Sequence, residues 1–192
     1  MTDLGPLRPG SGFPGHTPAG GVRAIIRDDL QLASVIARKG AGAAATERLR
    51  DRFGAAPGAG PVRTGDAALA WLGVGPDRWL AVKTGRDGRW AAVLARELEG
   101  LAAVADQSDG YAVIEVAGPA ARETLAEGFP IDLHPAAFGP EAAAVTLVAH
   151  IGAVIWRGEG EDRFLIAVFR STAESFWHWL SGVAAAHGLA LG

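Results

Sequence analysis

Two stretches of the chain spell the same device twice. AWLGVGPDRWLAV (Ala70 to Val82) aligns without a gap on IWRGEGEDRFLIA (Ile155 to Ala167), at an offset of 155 − 70 = 85. Trp71 falls on Trp156, Gly73 on Gly158, Gly75 on Gly160, Asp77 and Arg78 on Asp162 and Arg163, Leu80 on Leu165, and Trp79 on Phe164. Each copy reads as an apolar strand, a glycine-bearing turn and a second apolar strand, the pattern of a β-hairpin. A weaker match precedes it: SVIARKGAGAA (Ser34 to Ala44) on AVIEVAGPAAR (Ala112 to Arg122), at 112 − 34 = 78. The change of offset requires seven more residues in the second copy, and the proline-bearing stretch Phe129 to Glu141 is the natural place for them.

Helical segments follow each hairpin, Gly88 to Glu99 and Ser171 to His187, and shorter ones are expected over Gly42 to Phe53, stopped by Gly54, and over Pro119 to Glu127. Ser171-Thr-Ala-Glu174 has the spacing of a capping box. Each half then reads strand, helix, hairpin, helix. Two repeats are too few for an open solenoid. The expectation is an α+β fold, one pseudo-symmetric domain over residues 21–192 with halves at about 21–103 and 104–192. Runs such as Phe164–Phe169 imply sheets covered on both faces. Residues 1–20, rich in Gly and Pro, form an arm that is either a loose tail or lies on a partner.

Composition narrows the function. With 18 basic and 21 acidic side chains the formal charge is −3, without the basic footprint that nucleic acid requires. There is no cysteine, which excludes disulfides, thiolate metal sites and a cysteine nucleophile, and fits a cytoplasmic setting. No apolar run is long enough to span a bilayer, and the N-terminus does not read as a signal peptide. The histidines at 16, 134, 150, 178 and 187 have no metal-binding spacing, and His134 reads as a turn residue. Asp106-Gln-Ser-Asp109 reads as a polar bend between strands rather than an acid–base pair. Neither a nucleophile elbow nor a P-loop occurs, and Gly73-x-Gly75 serves a turn.

Of six tryptophans, most belong to a core. Trp177 and Trp179 point some 160° apart on a helix, about 100° being turned per residue, so they are not expected to share one narrow buried face. Trp177 and His178 are therefore the candidate interface residues, with His178 either solvated or in an interface.

VADQSDGYAVIEVAGPAARETLA (Val104 to Ala126), PIDLHPAAF (Pro130 to Phe138) and RSTAESFWHWL (Arg170 to Leu180), with LGVGPDRWLAV (Leu72 to Val82) upstream, resemble the gamma subunit family of heterotetrameric sarcosine oxidase. The resemblance covers about residues 22–187. It implies a fold like the folate-binding domain of glycine cleavage aminomethyltransferase, and a place beside alpha, beta and delta subunits in a complex that oxidatively demethylates sarcosine to glycine. It implies that FAD, FMN, NAD, tetrahydrofolate and zinc are held by other subunits and that this chain has no catalytic, cofactor-binding or metal-binding residue. Where the aminomethyltransferase pattern has an acidic pair, Gly152-Ala-Val-Ile-Trp156 offers Ile155 and Trp156, which cannot take up a proton. Two alternatives stand beside this reading: the equivalent subunit of a related N-methyl amino acid dehydrogenase, such as one acting on N-methylglutamate, and a stand-alone folate-binding module.

Overall fold

Asp77 and Asp162 sit in left-handed backbone (φ 54° and 42°), a conformation that Asp tolerates because its short side chain bonds locally. The carbonyl of Asp77 accepts from Ala37 N–H (2.9 Å) and that of Asp162 from Gly118 N–H (3.2 Å). The Asp77 carboxylate lies against Gly42, the first residue of a helix, while Asp162 takes Arg122 at 2.6 and 3.0 Å. The repeated Asp-Arg pair thus places two hairpin turns over two helix starts.

The computed structural model describes residues 21–160 and 162–191. In order the elements are β1 (Val22–Ile26), β2 (Leu30–Ala37), α1 (Gly42–Phe53), β3 (Arg63–Gly65), β4 (Leu69–Gly75), β5 (Arg78–Thr84), α2 (Trp90–Glu97), β6 (Ala102–Asp106), β7 (Tyr111–Ala117), α3 (Ala121–Ala126), β8 (Ala143–Val148), β9 (Ile151–Arg157), β10 (Arg163–Phe169), α4 (Ala173–Ala184) and β11 (Leu189–Leu191). One sheet runs β3-β4-β5-β2-β6 and the other β11-β1-β7-β10-β9-β8. Each half is an α+β unit, as expected, with one addition: its leading strand joins the other half's sheet. β1 pairs antiparallel with β7, and β6 with β2.

Alternation along these strands makes three apolar layers. Leu32, Leu72 and Leu80 face Val113, Trp156 and Leu165 between the sheets. On the outer faces, Val35, Trp71 and Trp79 pack on Leu49 of α1 and Leu94 of α2, and Ile114, Phe164 and Ile166 pack on Leu125 of α3 and Phe176 of α4. Phe164 through Val168 are all buried, because both faces of β10 are covered.

The structure corrects the register of the repeats. The second hairpin strands keep the offset of 85: Trp79 and Phe164 face helices, and Leu80 and Leu165 face the opposite sheet. The first strands slip by one. Trp71 faces the helices but Trp156 faces the other sheet, where its counterpart is Leu72. The cause is a bulge between Gly73 and Gly75 before a tight turn, whereas the second hairpin runs from Ala153↔Val168 to Arg157↔Phe164 without a register shift. The weaker match at 78 also fails, since Val35 and Val113 lie on opposite faces; the Asp77 and Asp162 bonds equate Ala37 with Gly118 instead. The connector after the helix does lengthen, from residues 54–62 to 127–142, but α3 is shorter than α1 by nearly as much, so the net extra length is shared between the β8–β9 hairpin and the β9–β10 connection.

Two helix starts also differ. α4 begins at Ala173 after a 3-10 turn at Arg170–Thr172, with no side-chain cap, and the Thr172 hydroxyl donates to the Phe169 carbonyl (3.0 Å). The capping box does not form because the 3-10 turn already uses those residues. α3 starts at Ala121, so Pro119 sits in the turn ahead of it. α1 ends as expected, on Gly54 at φ 72°. The arm at 1–20 lies outside the described residues.

A Cβ on Gly73 would overlap the Gly60 carbonyl, while one on Gly75 meets nothing closer than 3.6 Å. Gly73→Ala should therefore destabilise the protein by about 1–3 kcal/mol and Gly75→Ala much less, as read by thermal unfolding of the two variants side by side.

Candidate functional site: a sealed sheet interface and its exposed rims

At one rim of the layer between the sheets lies the buried carboxylate Glu115, 5% exposed. It accepts from Arg27 and Arg163, each at 2.8 Å. Its place follows from the register: Glu115 pairs with Ile25 of β1 and Leu165 of β10 in the middle of the sheet. Arg27 also donates to Asp29 (2.7 Å). The Asp29 contact, with Glu115 adding to it, raises the Arg27 pKa above its ordinary value, and the same bond lowers that of Asp29. Arg157, 7% exposed, lies next to this group with its guanidinium 4.9 Å from the Phe164 ring centroid and a bond to the Gly160 carbonyl. Burial, and then the nearby Arg122, lower its pKa. The cavity these groups line holds about 120 Å³, room for bonded side chains and a few waters rather than a cofactor.

Two larger concavities open on other rims. A groove of about 570 Å³ runs along the seam where the strands cross over, between Gln31, Ser108 and Tyr111. Ser108 ties this seam together: its hydroxyl accepts from Leu32 N–H (3.1 Å), and its own N–H donates to Asp106 (2.9 Å). Arg170 donates to the carbonyls of Asp109 and Tyr111. Asp106 to Asp109 thus form the polar bend read from the sequence, and the bend joins strands of different sheets. Phe169, half exposed, stacks on Tyr111 at 5.0 Å, and burial raises the Tyr111 pKa. The other concavity, about 1050 Å³, lies between α1, the 57–61 loop, the β4–β5 turn and Val145 of β8.

The residues singled out in the sequence are spread apart. Ile155 is wholly buried against the helices and Trp156 is 2% exposed between the sheets. This strand therefore presents packed hydrocarbon and indole at both positions. His134 is exposed in its turn and accepts from Ala136 N–H. His178 lies exposed on α4. Trp177 is half-buried, and here the expectation of separate faces fails: Trp177 and Trp179 both pack against the core beneath α4. The buried stripe is Ala173, Phe176, Leu180 and Ala184, and the two wide rings lean in over its edges, Trp179 closing on Phe129 and Phe176. The sequence reading missed Val145, Leu147 and Phe169, the most exposed large apolar side chains among the described residues. The alternation in AAVTLV was the available signal, but it equally fits a strand covered on that face.

Among the described residues no three His, Asp or Glu gather as a metal site, and no helix is long and apolar enough to cross a membrane.

A two-sheet α+β core with helices outside and exchanged leading strands places the chain in the fold class of glycine cleavage aminomethyltransferase. The Bartonella henselae enzyme matches over 90% of this chain and 48% of its own, with TM-score 0.62 and 17% identity. Residues 40–186 match the sarcosine oxidase, gamma subunit family, and the chain belongs to that family. Sarcosine oxidase subunit gamma of Corynebacterium sp. strain P-1 is 37% identical over 113 residues, 59% of this chain and 54% of that protein; the Arthrobacter sp. subunit is 37% identical over 116 residues. The chain thus spans about half the length of the curated relatives it matches. Among solved structures, a chain of heterotetrameric sarcosine oxidase from Corynebacterium sp. U-96, in complex with pyrrole 2-carboxylate, matches over 91% of this chain and 90% of its own, with 28% identity and TM-score 0.78.

Glu115→Ala removes a shared acceptor while Arg27 keeps Asp29 and Arg163 remains half exposed, so it should cost about 1–2 kcal/mol in urea unfolding. The depressed Asp29 pKa has a definite sign. The stability it contributes is fully present above the ordinary carboxyl value of about 4 and is lost as pH falls through the lower native value. The gap in stability between the wild-type protein and Asp29→Asn, measured over a pH series, should therefore be present at neutral pH and close in acid.

Proposed function

We propose that this chain is a non-catalytic, architectural subunit of a heterotetrameric sarcosine oxidase-type complex that oxidatively demethylates sarcosine to glycine in the cytoplasm. The match along nearly the whole chain to a subunit of such an assembly carries this reading. The packed interior supports it, because burying Ile155 and Trp156 leaves that strand without a proton acceptor. In this reading alpha, beta and delta subunits hold FAD, FMN, NAD, tetrahydrofolate and zinc, and this chain braces them. Its domain is residues 21–192, with 1–20 an arm toward a neighbour. Trp177, half-buried at the edge of the α4 stripe, and the exposed His178 beside it contact another subunit.

Tagging the chain in its own cells and weighing the recovered assembly by native mass spectrometry should return one copy bound to a larger flavoprotein subunit. A stable lone monomer, or turnover of sarcosine by this chain alone, overturns the reading. Trp177→Ala should weaken assembly by about 2 kcal/mol, roughly a 30-fold change in dissociation constant, while the isolated chain titrated with tetrahydrofolate should show no micromolar heat.

A further inference from the structure

The two halves end their sheets on equivalent strands and treat them differently. β3 is three residues long, carries Arg63 and ends on Gly65. Shortness and charge are ordinary ways of blunting a sheet edge against pairing. β8 is six residues long, reads AAVTLV, and has no charge, proline or glycine.

The direction of its hydrogen bonds is fixed by the neighbouring ladder. Arg157 N–H donates to the Ala142 carbonyl (3.1 Å), so positions 142 and 157 are a hydrogen-bonded pair. Alternation then turns the backbone groups of Ala144, Thr146 and Val148 toward β9, and those of Ala143, Val145 and Leu147 away from it. At the strand's start this outer edge is already used: Val62 pairs with Ala142, and Arg63 N–H donates to the Glu141 carbonyl (2.7 Å). Further along, no backbone group among the described residues meets Val145 or Leu147. The same two side chains are 56% and 52% exposed. They lie on the face that packs against the other sheet at Ala143 and runs past it afterwards. The cleft of about 1050 Å³ opens beside Val145, walled by Gly60, Pro61, Val74 and Trp79.

We propose that β8 is completed by an extended segment of a different polypeptide, added as a strand beyond β8. That segment has five or more residues without proline, is apolar at alternate positions, and sends one bulky side chain into the cleft beside Val145. The inference rests on reading the chain as a subunit. Residues 1–20 do not fit the place: prolines at 6, 9, 14 and 18 leave at most four consecutive N–H donors beyond Gly5, and Met1–Gly5 carries a charge and a glycine. A second copy's β8 does not fit it either, since on that face it sets only Ala143, Val145 and Leu147 and has no aromatic side chain to enter the cleft.

The test is amide exchange on the assembly recovered through the tagged wild-type chain, compared with the isolated full chain. The amides of Val145 and Leu147 should exchange at least 100-fold more slowly in the assembly. Leu147→Pro removes an outward donor without touching the β8–β9 ladder, and Leu147→Lys charges the exposed face. Both should recover less than a tenth of the partner subunits, whereas Thr146→Lys, on the opposite face, recovers the full amount. Equal exchange rates in a recovered assembly overturn the strand pairing alone. A dimer of the isolated chain in light scattering, abolished by Leu147→Lys, overturns it in favour of a second copy. A wild-type chain that brings down no subunit overturns the subunit reading and the proposal with it.

Discussion

Between the two sheets, Leu32, Leu72 and Leu80 meet Val113, Trp156 and Leu165, and neither set can leave water without the other. Each such side chain contributes about 1.5–3 kcal/mol when fully buried, so the layer ties the two halves into one cooperative unit. The strand exchange adds to this constraint. β1 completes the sheet of the second half and β6 that of the first, so separating the halves would break two ladders as well as the apolar layer. The polar groups at the rim follow from the same geometry. Glu115 is set in the middle of a sheet, and the cost of burying its charge is offset by two guanidiniums.

Filling that layer leaves little room for chemistry inside. Indole, leucine and valine occupy the space between the sheets, and the cavity at its rim is lined by side chains already bonded to one another. What a partner could use lies outside: the crossover groove with Tyr111, the cleft beside α1, and the stretch of α4 with half-buried Trp177 and exposed His178. The two halves supply these surfaces unequally. A bulged strand and tight turn in one half, against a longer turn and longer edge hairpin in the other, make two similar units with different rims.

Much of the fold was legible in the residues. The hairpins show in their apolar runs, α1 in its Gly54 stop, the polar bend at Asp106–Asp109 in its side chains, and the core role of Trp71, Trp79, Trp90 and Trp156 in their setting. These features are local: each depends on a few neighbouring side chains and on backbone preferences that hold wherever the segment sits. The resemblance blocks likewise led to the family whose members match residues 40–186.

Other features needed the tertiary structure, because they depend on which surfaces meet. Sequence alignment matched Trp71 to Trp156, yet a single bulge turned one toward helices and the other toward a sheet; identity along a strand does not fix its face. The swap of leading strands leaves no trace in local pattern, since an apolar strand pairs equally well with either sheet. The exposure of Val145 and Leu147 is likewise a matter of where the opposite sheet ends. The residues thus determined what kinds of element form and that there are two similar sets of them, while the packing of one set on the other decided the faces, the partners of the strands and the edge left open.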